Sequence, residues 1–394
     1  MSVTPGQRDW LRVREYLMRH RYRLGQEAAA LYPDTPQVAG TVLLTRPQWL
    51  PAEPLPLDAI DLEFAPATPF TGLTGTDPVT AAVRPPRPDG SPYPTYSAAM
   101  ADLAAPAVFE NRPTYRLLDA DLSGPRGHLK FGRGRYFDGI DVGESAAHEY
   151  AAGRLDAAAR EHATGQRDAG AAPLRAAIGD PCDPARRPMN IGVSALTIRH
   201  DRGTGAARFL LHWRDPAKVG HAGGLYMVVP VGIFQAAGAS PAHERHDFSL
   251  WRCMIREYAE ELLGEPEDHG SGAGPVDYEH WPFAARMTDA LRTGRIRAHV
   301  VGMGVDPLTL VTDLLIVVVI DAGLFDELFA DLAPTNDEGR LVGAAAGRPT
   351  EGVPFTAGQL GRLAREPVQA AGSAALSLAR RHRRLLLGGQ GLGG

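Results

Sequence analysis

The run from Phe248 to Leu263 constrains the fold of this chain more than any other segment. Leu250, Met254, Tyr258 and Leu262 recur every four residues and make one apolar stripe on a helix, while Glu257, Glu260 and Glu261 occupy i, i+3 and i+4 on another side. Carboxylates at those spacings repel by a few tenths of a kcal/mol on a plain exposed helix, and water or a cation relieves the repulsion. A hard divalent ion with oxygen ligands is the chemistry this pattern suits, although a solvated acidic face is the simpler reading of the string. The apolar stripe needs a surface to pack on, and the neighbouring sequence supplies strands. Asn190 to Ile198 and Ala207 to Trp213 are β-rich runs about the turn Asp201-Arg202-Gly203-Thr204-Gly205; Gly224 to Phe234 is a third, and Ile296 to Gly302 and Thr309 to Ile320 follow.

The stretch Arg256-Glu257-Tyr258-Ala259-Glu260-Glu261-Leu262-Leu263-Gly264 resembles the second half of the Nudix signature, commonly written G-x5-E-x7-REUxEExGU with U aliphatic. The arginine and all three glutamates fit; Tyr258 takes an aliphatic slot and Leu263 the glycine slot. The resemblance runs over roughly Asn190 to Leu363 and implies a Nudix-type mixed β sandwich flanked by helices. It implies Mg2+ or Mn2+ held by Glu260 and Glu261, with Glu257 as ligand or base and Arg256 as an orienting partner. A further acidic ligand ahead of the last helix would be Glu338, or its neighbour Asp337. Such a metal neutralises phosphate charge and activates water. The chain departs from the signature before the helix: Val231 replaces one glycine of the usual turn, the run from Gly232 to Arg256 is too long, and Phe248 stands where the first glutamate belongs. Glu244 or Asp247 is then the expected substitute partner for Arg256, Asp247 serving equally well as a helix N-cap.

A chain of 394 residues suggests two lobes. We expect an α+β fold in which residues 1–188 form an N-terminal lobe, residues 189–388 the Nudix-like domain and residues 389–394 a flexible tail. Gln7 to Leu31 reads as an amphipathic helix whose arginines, Arg8, Arg12, Arg14, Arg19, Arg21 and Arg23, make a basic face that solvent or a packed partner covers. The segment from Arg46 to Pro94 is rich in proline and glycine and reads as irregular wrapping structure. Tyr115 to Leu122 and His128 to Phe131 give a hairpin signal, Val142 to Leu155 a helix, and Thr164 to Pro188 the connection between lobes. From Thr356 to Leu387 a helical stretch is divided at Pro367.

Other motifs carry less. His243-Glu244-Arg245-His246 lacks the spacing of a helical zinc pattern and reads as a solvated loop; Gly223-Gly224 lacks the lysine of a phosphate loop; Ser194 reads as a strand serine. Arg133 and Arg135 are candidate substrate contacts from the N-terminal lobe, expected to wall the pocket of the Nudix-like domain. A formal net charge of -5 gives no global pull toward nucleic acid or an anionic membrane surface. Leu314 to Ile320, the most apolar run, is too short to cross a bilayer of roughly 30 Å and reads as a buried strand. Two distant cysteines, Cys182 and Cys253, define neither a disulfide framework nor a zinc site, and a cytoplasmic location is the default. The expected function is metal-dependent hydrolysis of a diphosphate linkage in a nucleoside diphosphate derivative or related small molecule, with no nucleic-acid or membrane partner and homodimerisation left open. The alternative is a Nudix-fold nucleotide-sensing or regulatory module with little turnover.

Overall fold

The computed structural model describes residues 3–106, 108–164, 172–214, 224–266, 274–332, 339–342 and 352–388. The chain is a mixed α+β protein. Its largest sheet has the order β1 (Leu55–Pro56), β10 (Ile296–Val305), β11 (Thr312–Asp321), β5 (Ile191–His200), β6 (Ala207–Phe209) and β13 (Val353–Pro354), with β9 (Val231–Ile233) also paired to β5. The β5–β11 pairing is parallel and the rest of this sheet is antiparallel. A second sheet joins β12 (Gly339–Val342), β7 (Leu211–Arg214) and β8 (Tyr226–Val228). A third joins β2 (Ile60–Phe64), β4 (Gly127–Arg135) and β3 (Pro113–Asp121). The expected strand at Thr309–Ile320 is therefore β11. Its side chains are buried on both faces, as suits a strand inside a sheet covered by helices on each side.

Side-chain alternation sorts the core into two halves. Ile191, Val193 and Ala195 of β5 and Leu314, Ile316 and Val318 of β11 pack toward the acidic helix Leu250–Leu263 and the helices Pro282–Arg292 and Ala322–Leu328. Leu196, Ile198, Leu315, Val317 and Val319 point the opposite way, toward the alanine-rich helix Ala370–Arg381. The first of these cores does not stop near residue 188. It continues through Tyr115, Leu117, Leu129 and Phe131 of the N-terminal hairpin and through Trp49, Leu55 and Ile60. Tyr115 and Phe131 meet Phe234 and Phe248 edge to face or tilted, with centroids 4.6 to 5.8 Å apart. Backbone bonds from Tyr115 N to the Phe234 carbonyl (3.1 Å) and from Leu117 N to the Met189 carbonyl (2.8 Å) tie the same surfaces together.

One expectation about the N-terminal part changes and one sharpens. The connection expected over Thr164 to Pro188 contains the helix Pro173–Ile178, and Leu174, Ile178, Cys182 and Arg187 are all buried. Residues 172–188, anchored by Leu174, Ile178 and Cys182, are core structure rather than a tether, whatever their Gly, Ala, Pro and Asp content. The first helix, Pro5–Ala28, starts with Thr4 and Gln7 in a reciprocal capping box. Of the arginines expected to meet solvent or a packed partner, Arg14 and Arg21 meet a partner: both are buried and bond Glu144, at 3.3 and 3.1 Å, on the long helix Tyr136–Thr164. The expected tail at 389–394 lies outside the described residues, and among those described no helix is long and apolar enough to cross a membrane.

Candidate metal and phosphate site

The acidic helix Leu250–Leu263 begins on Ser249, whose hydroxyl accepts the Arg252 N–H. It ends at Gly264, where φ of +70° suits a residue without Cβ; Gly264 N bonds the Glu260 carbonyl and Glu265 N the Ala259 carbonyl. Asp247 is not its cap. The departure at Tyr258 has a clear cause. This ring is fully buried, and its hydroxyl meets Thr197 Oγ1 at 2.8 Å while Thr197 Oγ1 donates to the Val229 carbonyl at 2.6 Å. A tyrosine here pins the helix to β5, and burial pushes its hydroxyl above the ordinary range.

The carboxylates do not share one solvent face, as spacing alone suggested. Glu261 is buried and its Oε1 accepts the Val231 N–H at 2.7 Å. Glu257 sits one helical turn earlier, against the adjacent residue of β9: a Cβ placed on Gly232 would lie 1.9 to 2.2 Å from its carboxyl atoms. Glu257 and Glu261 are therefore brought to neighbouring backbone positions, and a glycine is required at 232 because the Glu257 carboxylate fills the space of its missing side chain. Glu260 is half-buried on the same helix. Among the described residues, no three His, Cys, Asp or Glu side chains are gathered as a ready-made metal cage. Glu338 and Asp337 lie outside the described residues.

Arg256 is buried, and a second set of groups holds it. Its guanidinium donates to the Gln235 carbonyl at 2.5 Å and to the Tyr278 hydroxyl, and it pairs with Asp247 Oδ1 at 3.5 Å. Asp247 is fully enclosed and accepts from Tyr278 Oη at 2.8 Å and from Ala237 N at 2.9 Å. Of the two substitutes considered for the missing first glutamate, Asp247 is the one against the arginine. The extra residues after Gly232 explain how it arrives there: they build the short helix Pro241–His246 and bring the chain back to Arg256. Burial pushes the Tyr278 hydroxyl upward and lifts the neighbouring Cys253 thiol to about 12, so both stay protonated beside Arg256.

Glu244, the other candidate, is bound elsewhere. Arg133 grips it through two bonds of 2.7 Å. Arg135 is exposed and donates to the Asn111 carbonyl at 3.2 Å. Both arginines line an open cleft of 520 Å3 with Tyr115, Asp138 and Glu244, and the cleft borders Ala236, next to the Gln235 carbonyl that holds Arg256. His243 and His246, expected in a solvated loop, lie on the Pro241–His246 helix. His243 is buried against Ser240, and His246 Nε2 meets the Val276 carbonyl at 2.8 Å.

Tyr278 and Gln235 were not singled out by sequence reasoning, and Gly232 entered it only at the turn before the helix. Gln235 acts through its carbonyl and Gly232 through a missing side chain, so neither residue type advertises its role. Tyr278 follows a polar, glycine-rich loop that gives no sign of a buried hydroxyl beyond it. No known family model matches the sequence, and no significant match to a curated protein is found.

Proposed function

We propose that the protein is a Nudix-like, Mg2+- or Mn2+-dependent hydrolase of a diphosphate linkage, acting on a nucleoside diphosphate derivative or related small molecule in the cytoplasm. One observation carries this reading: Glu257 and Glu261 are delivered to Gly232 and Val231 while the arginine beside them is locked by Asp247. Magnesium is commonly bound through one or two carboxylates, with waters and substrate phosphates completing its shell, so a pair of glutamates without a closed cage suits it. Glu257 and Glu261 would hold the ion, with Glu260 close on the same helix, and the bound ion would neutralise phosphate charge and acidify a water. The chain's own contribution is orientation. Val231 N–H fixes the Glu261 carboxylate, Gly232 makes room for Glu257, and the Arg256–Asp247 pair sets the rotation of the helix that carries them.

With Mg2+ or Mn2+ present, purified protein is expected to release phosphate or a monophosphate from at least one member of a panel of diphosphate compounds. Glu257→Gln and Glu261→Gln should each lower turnover by about a hundredfold or more. Gly232→Ala should do the same while leaving the fold intact, because its methyl group displaces only the flexible end of Glu257. Unchanged turnover in these variants would overturn the assignment. A second reading, a nucleotide-sensing module without turnover, is favoured by the bond that already occupies Glu261 Oε1. Calorimetric binding of a panel member with no product by mass spectrometry would select it.

A further inference from the structure

The face of the large sheet away from the acidic helix carries a cleft that the hydrolase reading does not use. The helix Ala370–Arg381 packs on that face, and its end is followed by His382 and the short helix Arg383–Leu387. This turn and residues 355–360, which follow β13, line an open cleft of 690 Å3. Arg380, Arg381, Arg383 and Arg384 all border it, and all four are exposed. Among the described residues, Glu53 is the one carboxylate of the lining. In the sequence no Asp or Glu follows Glu366, so this end of a chain whose net charge is -5 is locally basic. None of the four guanidiniums has an ion pair among the described residues, whereas Arg126, Arg286 and Arg292 on other surfaces pair with Asp61, Glu327 and Asp289.

A structural role accounts for part of this charge. Arg380 and Arg381 stand in the last turn of their helix, where cations complement its dipole. That effect falls off within the last turn, and Arg383 and Arg384 lie beyond it. Arg383 instead rests over the buried Phe355 ring, its guanidinium carbon 6.0 Å from the ring centre, which holds the charged head at the cleft wall. Its charge is felt in the core beneath. His200 is buried at the end of β5, and its Nδ1 has no partner among the described residues. Burial, and then Arg297, Arg202 and Arg383, hold this ring below the ordinary imidazole range. A cleft lined by one sign of charge concentrates counter-ions, and a polyanion relieves the repulsion between its walls.

We propose that this cleft binds a small polyphosphate anion, at a site separate from Glu257 and Glu261. Guanidinium forks match phosphate oxygens, and four of them around one cleft suit a ligand that carries several phosphate groups. The volume falls within the roughly 300–1,000 Å3 of small-molecule sites. Single-stranded nucleic acid is held by rings on which its bases stack, and the aromatic residue of this lining, Phe355, is buried beneath Arg383. A membrane surface is held by an apolar face; here Leu385 is exposed, but Leu386 and Leu387 are buried in the core.

The full chain, at physiological ionic strength and with EDTA to remove divalent ions, should be titrated calorimetrically with tripolyphosphate and with orthophosphate. Tripolyphosphate should bind and raise the melting temperature, and orthophosphate should bind far more weakly. Arg383→Gln and Arg384→Gln change exposed side chains and should each weaken tripolyphosphate binding by about tenfold. Arg12→Gln, which removes an exposed arginine from the first helix, should leave it unchanged. Neither heat nor a rise in melting temperature with tripolyphosphate would overturn the proposal, and so would undiminished binding in both cleft variants or an equal loss in Arg12→Gln. Tighter binding of a single-stranded oligonucleotide or of phosphatidylserine vesicles, with the same sensitivity to Arg384→Gln, would overturn it in favour of a macromolecular partner. With no metal present, none of these results bears on the hydrolase reading.

Discussion

Asp247→Ala is expected to lower folding stability by about 3–5 kcal/mol, the usual cost of breaking a buried ion pair from one side. The carboxylate is fully enclosed and receives Tyr278 Oη and Ala237 N as well as facing Arg256. Alanine would leave a buried guanidinium facing only the Gln235 carbonyl and a phenol, together with an unpaired backbone N–H at Ala237. Asp247→Asn keeps an acceptor for Tyr278 and should cost less. Urea unfolding of the three proteins measures both differences. A cost under about 1 kcal/mol for the alanine variant would show that Asp247 does not hold Arg256, since that is within the range of an ordinary surface pair.

Stability should also fall as pH rises, because of Asp313. Its carboxyl is raised from an ordinary 3.8 to about 7, chiefly by burial, with Asp306 adding to the effect and the Ser194 bond opposing it. Below pH 3.8 both folded and unfolded chains carry the proton, and the group has no effect on their balance. Between 3.8 and 7 the unfolded chain gives up the proton that the folded chain keeps, so unfolding gains with each step in pH; above 7 the loss levels off. Three pKa units correspond to about 4 kcal/mol as an upper figure. Asp313→Asn has no proton to lose, so its stability relative to the parent should climb between pH 4.5 and 7.5 and then flatten. Parallel stability curves for the two proteins across that range would refute a buried, neutral Asp313.

The repeating apolar and acidic positions of Phe248–Leu263 revealed a helix, because a period of four residues is a local property. Strands β5 and β11 were visible for the same reason: continuous apolar runs fill a sheet covered on both faces. What spacing could not convey was which side of the helix meets the sheet. Glu261 and Arg256 are buried because Val231, Gln235, Asp247 and Tyr278 surround them, and those neighbours come from three different segments. The fate of Arg133 was equally hidden, since its partner Glu244 is 111 residues away. Arg14 and Arg21 read as part of a face that solvent or a packed partner covers, and spacing could not name the partner, Glu144, which is 130 and 123 residues away. The composition of the 164–188 segment suggested a tether because Gly and Pro content says nothing about which of the intervening Leu, Ile, Cys and Arg side chains find a core.

Manganese binding followed by electron paramagnetic resonance, with and without methylenediphosphonate, is the most direct test of the site at Glu257 and Glu261. The account predicts protein-bound Mn2+ whose affinity rises when the diphosphonate is present, since phosphate oxygens complete a shell that two carboxylates only begin. Glu257→Gln and Glu261→Gln should each weaken that binding by about tenfold or more. Free Mn2+ throughout the titration, or bound Mn2+ held equally well by both variants, would contradict it.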